Sequence, residues 1–190
     1  MTLNSMHDLM VHQLRDLYSA ERQVLLVWPQ LAELSSSRSL TIALEHHREE
    51  TMRHISRLDE IFEILELSPR GVRCRGMEGL LVDALSDATA QPDPALRDSS
   101  IVANCQRVEG YELAVYGTSR IFAESLEFDR VVSLLEQTLA EEEAADAALA
   151  AIAESEVGPA AAAATRRALS PQVVGMIHPD YGARNLRITV

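Results

Sequence analysis

Residues 40–61, LTIALEHHREETMRHISRLDEI, decide how the rest of the chain is interpreted. In steps of three and four, one face of this stretch begins and ends with apolar side chains, as the buried face of a helix does. That face, continued by one step, reads Leu40, Ala43, His47, Glu50, His54, Leu58, Ile61 and Leu65. Its middle is ionisable where a helical core is normally apolar, so the pattern predicts a long helix that turns a polar site inward.

Three other segments repeat this pattern, and each has carboxylates near its middle. Their inward faces read Met10, Leu14, Leu17, Glu21, Val24 and Trp28; Val102, Cys105, Glu109, Glu112 and Tyr116; and Leu135, Leu139, Glu142, Asp146 and Leu149. Because apolar residues continue on both sides of every interruption, we expect the four ionisable segments to meet at one depth of a helical bundle.

Capping and helix-breaking residues divide the chain into elements. The serines at 35–37 end one helix and cap the next, Pro69 and Gly71 end the second, and Asp93 with Pro94 begins another. The predicted helices span about residues 5–34, 38–67, 77–89, 94–124 and 129–154. Two short connections and one long crossover are typical of ferritin-like proteins. The predicted fold is all-α: a ferritin-like four-helix bundle with a short extra helix in the crossover between the second and third long helices.

The C-terminal part of the chain differs from the rest in composition. We assign residues 1–155 to the bundle and residues 156–190 to a C-terminal extension, which contains an alanine run, three prolines and a net positive charge. This extension is expected to fold back on the acidic bundle, to cover a neighbouring subunit or to remain loose.

Charge and hydropathy exclude several classes of function. The formal net charge of the 190 residues is −12, which disfavours binding to nucleic acid or to anionic lipid. The sequence has no apolar run of the roughly 20 residues that a membrane span needs, and its start does not resemble a signal peptide. Cys74 and Cys105 match no metal-binding spacing, so two free thiols in a reducing compartment are expected. We therefore expect a cytoplasmic protein.

The ionisable layer needs compensation, because an unpaired carboxylate removed from water costs several kcal/mol. Arginine does not occur on the inward faces at that level, which leaves protonation or bound cations. Oxygen-rich ligation with a little imidazole suits iron or manganese. The sequence therefore predicts two divalent metal ions, Fe or Mn, with the ligand candidates Glu21, His47, Glu50, His54, Glu109, Glu112, Glu142 and Asp146.

Each candidate taken alone also has an ordinary structural interpretation. Glu109 and Glu112 are spaced as an exposed pair on one helix face, and Glu142 lies in a run of three glutamates that resembles a solvated surface. A single inward histidine such as His54 is often a hydrogen-bonded core residue. The coincidence on four helices is what favours the metal site. His46 lies beside the inward face and is expected to point outward, His7 and His12 lie in the first turns of their helix, and His178 lies in the extension, so none of them is a ligand candidate.

Several motifs resemble the YciF-like family of ferritin-like bacterial stress proteins, also called domain of unknown function 892. The motifs are LRDLYSAE at 14–21, HREET at 47–51, CRGMEGL at 74–80, VEGYE at 108–112, YGT at 116–118 and LAEEE at 139–143. The resemblance covers about residues 3–153. It implies a rubrerythrin-related bundle that is linked to stress responses and often forms a homodimer, with metal carboxylates at Glu21, Glu50, Glu109, Glu112 and Glu142.

The chain departs from the ferritin-like pattern at its histidines. The usual Glu-x-x-His spacing is absent, because Arg53 follows Glu50 and Ala145 follows Glu142 by three residues. Imidazole would come from His47 or His54, and Asp146 would replace a second histidine. Gly110 also stands where the family commonly has histidine after Glu109.

Two functions remain open from the sequence. The first is a di-metal protein that oxidises Fe(II) or handles peroxide or O₂ in a stress response, with Glu50 and Glu142 bridging the ions and Glu21 and Glu112 capping one each. Tyr18, Tyr111 and Tyr116 are candidates to supply a proton or electron, or simply pack in the core. The second is a non-catalytic, dimeric, stress-associated interaction protein whose metal site is empty or structural. No catalytic residue is assigned.

Overall fold

The computed structural model describes residues 3–169, and these residues form helices with no strand among them. The elements are α1 Met6–Leu34, α2 Arg38–Ile64, α3 Arg75–Ala90, α4 Pro94–Ser125, α5 Asp129–Ile152, a π-helical turn Ala153–Val157 and α6 Gly158–Ala168. The all-α prediction and the order of the five predicted helices are confirmed. Residues 170–190, which include His178 and most of the predicted C-terminal extension, lie outside the described residues.

The helix starts follow the capping residues that the sequence indicates. The Ser37 side chain accepts a hydrogen bond from the Leu40 N–H, and Asp93 accepts bonds from the backbone ahead of it at the start of α4. Helix α2 ends at Ile64, three residues before its predicted end, and Glu66 adopts a left-handed φ of 52°. Helix α3 begins at Arg75, two residues early, with Cys74 at its N-cap.

Four long helices form the bundle. Helix α1 packs on α2 and α4, and α5 packs on α2 and α4, which closes a ring of four neighbours. Helix α3, in the crossover, lies across α1 and α4. None of the helices in residues 3–169 combines the length and the apolarity that crossing a bilayer requires.

The core consists of two apolar clusters. One cluster contains Trp28, Leu31, Leu40, Leu44, Cys105 and Leu149 among others, and the second contains Leu14, Leu17, Leu58, Ile61, Tyr116 and Leu135 among others. Each bundle helix contributes to both clusters; on α2, α4 and α5 the ionisable residues fall between the two contributions, and on α1 Glu21 directly follows Ala20, the first residue of that helix in the first cluster. The apolar layers therefore hold a polar layer between them.

Helix α6 was not predicted. Pro159 has no N–H to continue the α-helical ladder, and the N–H of Gly158 bonds instead to the carbonyl of Ala153, five residues back. A Cβ atom at Gly158 would lie 2.7 Å from that carbonyl oxygen, so glycine suits the turn. The helix packs on α4. The division of the chain at residue 155 remains a prediction.

Candidate metal centre

The polar layer gathers seven of the eight predicted ligands in the interior. Four carboxylates come from three helices and are fully shielded from solvent: Glu21 on α1, Glu109 and Glu112 on α4, and Glu142 on α5. Helix α2 contributes three more buried side chains, His47, Glu50 and His54. Asp146 is the exception, because its side chain is half-buried one turn beyond Glu142.

Four of these residues form a first donor group. His47, Glu109, Glu112 and Glu142 each place one ligand atom within 4.8 Å of the others. Donors on opposite sides of one divalent ion are about 4–4.4 Å apart, since each bond is about 2.0–2.2 Å long. The group therefore has dimensions and an oxygen-rich composition that could hold one metal ion.

A second donor group adjoins the first. Glu21, His54 and Glu142 also lie within 4.8 Å of one another. Glu142 belongs to both groups, and its carboxylate has two oxygens to offer. This arrangement can provide two ion positions that share one bridging carboxylate.

Most carboxylate oxygens of these groups accept no hydrogen bond from the described part of the protein. Both oxygens of Glu109, Glu112 and Glu142 and one oxygen of Glu21 are buried without a hydrogen bond from residues 3–169. Buried polar atoms of folded proteins are nearly always hydrogen-bonded. Since so many acceptors at one place lack a donor, the residues present fit a pair of cations.

His54 is oriented by groups outside the layer. Its Nε2 lies 2.9 Å from Oε2 of Glu141, which leaves Nδ1 directed at the cluster, 3.3 Å from Glu21 and 3.1 Å from Glu142. Arg57 donates hydrogen bonds of 2.7 and 2.8 Å to the two oxygens of Glu141. A carboxylate that fixes the outer nitrogen of a histidine is typical of metal ligands.

His47 has a similar arrangement with a different carboxylate. Its Nδ1 lies 3.4 Å from Glu50, whereas its Nε2 faces the cluster at 3.5 Å from Glu109 and 3.7 Å from Glu142. Glu50 also lies 3.4 Å from Arg53 and is a member of neither donor group. The structure thus places Glu50 behind His47, where it can orient the imidazole.

The three candidate tyrosines occupy different positions. The Tyr116 hydroxyl is buried and donates a 2.6 Å hydrogen bond to Oε1 of Glu21, which leaves the other Glu21 oxygen for a ligand. Tyr111 donates to Asp16 and contacts the sulfur of Cys74, and Tyr18 packs edge-on against Phe62. Among these three, Tyr116 alone hydrogen-bonds a member of the donor groups.

Electrostatics within the layer reflect the concentration of negative charge. Burial raises the pKa of Glu109 well above its ordinary value, and the charge of Glu142 raises it further. Burial likewise raises the pKa of Glu112, with Glu21 the next contributor. Burial alone would lower the pKa of His54, but Glu21 and Glu142 together raise it to about 10. Without a metal ion, the layer therefore favours the protonated forms of Glu109, Glu112 and His54.

Glu141 and Arg57 were missed by the sequence analysis. The hydrogen bond from Arg57 lowers the pKa of Glu141 to about 2, so this carboxylate stays ionised beside His54. Arg57 follows His54 by three residues and reaches the edge of the layer from a half-buried position. Glu141 sits in the run of three glutamates, and nothing in the sequence separates its role from that of exposed Glu143.

Sequence comparison identifies relatives over most of the chain. Residues 5–162 match the family described as domain of unknown function, DUF892. Protein YciF of Escherichia coli (strain K12) is 36% identical over 154 residues, which cover 80% of this chain and 93% of that protein.

Solved structures agree with this result. The crystal structure of the E. coli stress protein YciF superposes with a TM-score of 0.79 at 35% identity, covering 82% of this chain and 98% of that one. YcfI from Rhodopseudomonas palustris gives a TM-score of 0.75 at 41% identity, covering 77% and 94% of the two chains. A protein from Xanthomonas campestris pv. campestris shares the fold, with a TM-score of 0.64 at 19% identity over 86% and 99% of the chains. The chain therefore belongs to the DUF892 family, the family of YciF, as its motifs indicate.

Proposed function

We propose that the polar layer binds two divalent cations, iron or manganese, and that the protein uses them to consume peroxide or O₂ under stress. The observation that carries this proposal is the pair of buried donor groups that share Glu142, whose oxygens lack hydrogen-bond donors. Four positive charges from two ions would neutralise the carboxylates that otherwise need protons. A stress-related role is supported by the description of the E. coli relative as a stress protein.

The residues divide into ligands and orienting groups. Glu142 would bridge the ions, with Glu109, Glu112 and His47 on one side and Glu21 and His54 on the other. Glu50 would orient His47 instead of serving as a second bridge, and Glu141 would orient His54. Tyr116 would hold Glu21 in place through its hydrogen bond.

A pair of ferrous ions, when bound, supplies two electrons, which with two protons reduce one hydrogen peroxide molecule to two waters. The protein's part is to hold the ligands in a layer between two apolar clusters, which limits the access of water. In the metal-free protein the pKa of His54 is raised to about 10 and the pKa values of Glu109 and Glu112 are raised by burial, so all three groups favour their protonated forms. Metal binding would release these protons, so uptake of metal should be accompanied by a measurable release of protons.

The direct test is metal analysis of untagged protein, followed by stopped-flow oxidation of added Fe²⁺ by peroxide and by O₂. We expect up to two ions per chain and oxidation faster than in buffer. Glu142→Gln should lower the affinity for both ions by at least roughly tenfold, because Glu142 belongs to both donor groups. Glu143→Gln, which changes the exposed neighbouring glutamate, is the matched control and should leave metal content unchanged.

The alternative is an interaction protein whose layer is empty or structural. Protein that binds no ion after incubation with Fe²⁺ or Mn²⁺ would support that alternative and end the present proposal. Bound ions without any acceleration of Fe²⁺ oxidation would point to a structural site.

A further inference from the structure

A cavity of about 140 Å³ opens to solvent between α2 and α5, beside the polar layer. Its α5 side is formed by Ala144, Ala145 and Ala148, whose one-carbon side chains leave space at the surface. Since one water molecule takes up about 30 Å³ of the liquid, the cavity has room for a small ion that keeps part of its hydration shell. The polar side chains on the α2 side decide what the cavity can hold.

The inner wall of the cavity is closed. His47 and Glu109 line it, but the ring nitrogens of His47 and the carboxylate oxygens of Glu109 are buried. An ion in the cavity therefore does not contact the first donor group. A side chain must move before an ion can pass from the cavity to the layer, and Glu50 is the lining residue whose contacts make such a movement easy.

Glu50 lies between a histidine at the surface and a histidine of the layer. Its Oε2 is 3.4 Å from Nδ1 of His46, whose side chain is 66% exposed, and 3.4 Å from Nδ1 of buried His47. Its Oε1 is 3.4 Å from Arg53. All three contacts are longer than an ordinary hydrogen bond. The carboxylate can therefore rotate between the two histidines at little cost.

His46 and Glu50 have the geometry of a metal-ligand pair. They lie four residues apart on α2, and residues at this spacing share one face of a helix. Bonds of about 2.0–2.2 Å to two atoms that are 3.4 Å apart make an angle of about 100–115° at the ion, between the octahedral and tetrahedral values. Two protein ligands, with water completing the shell and Arg53 nearby, make a weak site that an ion can leave.

The imidazole behind this pair has a nitrogen to offer. Nδ1 of His47 is buried and has no hydrogen bond within residues 3–169, although it lies 3.4 Å from Glu50. Nε2 of the same ring faces the first donor group, 3.5 Å from Glu109. A cation that moves inward with Glu50 therefore meets a nitrogen that no other group occupies, next to the donors of the layer.

We propose that His46 and Glu50 form an outer cation site in this cavity, where a divalent metal ion binds before it enters the polar layer. Glu50 then moves the ion inward by rotating towards His47. The inference rests on the proposed di-metal function and identifies the route by which the metal enters. His46 was excluded as a ligand of the layer because it faces outward, and the same orientation makes it accessible to an ion in solvent.

The outer site can be detected while the layer is occupied. The protein is first loaded with Zn²⁺, which generally binds such ligands more tightly than Mn²⁺ does, and Mn²⁺ is then added. The proton NMR signals of the His46 imidazole should broaden at Mn²⁺ concentrations roughly tenfold lower than in Glu50→Gln, because that variant loses one of the two ligands. Equal broadening of His46 in the wild type and in Glu50→Gln would overturn the outer site.

The role of the outer site in entry is measured by the rate of metal uptake. Trp28 is the sole tryptophan of the chain, and its ring centre lies 5.9 Å from that of His47, so Co²⁺ that reaches the first donor group should quench its fluorescence. In stopped-flow mixing, His46→Ala should slow both the uptake of Co²⁺ and its release to a chelator by roughly fivefold or more. The equilibrium affinity should not change, because His46 is not a member of either donor group.

Two further variants separate entry from a structural effect. His12→Ala removes an imidazole from α1, outside the cavity lining, and should leave both rates unchanged. His46→Glu restores a cation ligand at the same position and should recover most of the wild-type rate. Unchanged uptake in His46→Ala, or slower uptake that His46→Glu does not recover, would overturn the entry role. A wild type that binds neither Co²⁺ nor Zn²⁺ would reject the di-metal function, while the His46 signals with Mn²⁺ would still decide the outer site.

Discussion

At the scale of single residues, Glu112 illustrates how a buried carboxyl group can destabilise the metal-free protein and stabilise the metal-bound one. Glu112 is fully buried, both of its oxygens lack donors, and burial raises its pKa well above the ordinary value. A group of this kind destabilises the metal-free protein and contributes favourably only when a cation is bound. Function and stability are therefore opposed at this position.

We predict that Glu112→Gln stabilises the metal-free protein and weakens metal binding. Glutamine keeps the shape, removes the ionisable group and adds an N–H₂ donor among acceptors that lack one, so the free energy of unfolding should increase by about 1–3 kcal/mol, the range for one unmet buried hydrogen-bonding group. Urea unfolding of chelator-treated protein measures the gain, and titration calorimetry measures the loss of affinity. A fall in stability of the same size would mean that Glu112 makes a favourable contact in the metal-free state.

At the scale of elements, two helix connections contain residues with strained backbone conformations, and neither residue takes part in the polar layer. Glu127, in the connection between α4 and α5, has a φ of 61°, and Glu66 after α2 has a φ of 52°. A left-handed conformation costs a side-chain-bearing residue about 1–2 kcal/mol, and glycine is the residue usually found there. Both connections lie outside the donor groups.

We expect Glu127→Gly to stabilise the folded chain by about 0.5–1 kcal/mol, after allowance for the greater freedom of glycine in the unfolded state. Its effect on metal affinity should be negligible, because the residue is at the end of the bundle. Glu124→Gly is the control: this residue lies inside α4 with helical geometry, so glycine there should destabilise by about 1 kcal/mol. Thermal unfolding of both variants, with metal content measured in parallel, decides the matter.

At the scale of the whole molecule, stability depends on protons as well as on packing. Folding places Glu109 and Glu112 where their pKa values are raised, and it raises the pKa of His54 from 6.5 to about 10. Near neutral pH the folded metal-free chain therefore binds more protons than the unfolded chain. By linkage, its free energy of unfolding must decrease as the pH rises.

The predicted pH dependence concerns the range from about pH 5 to pH 9. The His54 contribution is complete below 6.5 and is lost as the pH approaches 10, while the two carboxyls become increasingly unfavourable above 4.5. Glu141, with its pKa lowered to about 2, acts in the opposite direction but only below 4.5. Urea unfolding at several pH values should show a decline for the metal-free wild type and a shallower one for Glu112→Gln. Metal-loaded protein, in which cations replace the protons, should reverse the trend, since its affinity for metal rises with pH.

The sequence by itself determined the first five helices, their order and the burial of seven of the eight ligand candidates, because side-chain periodicity and capping are local properties that act within a few residues. Spacing could not separate Glu50 from the donors, recognise Glu141 and Arg57, or show that Asp146 lies half-exposed. Those distinctions depend on how far each helix is rotated and shifted against its neighbours. Only the tertiary structure sets the rotation and shift of each helix. It therefore also decides that Glu142 belongs to both donor groups and that a cavity lies beside Trp28, because atoms from helices distant in the chain make both features.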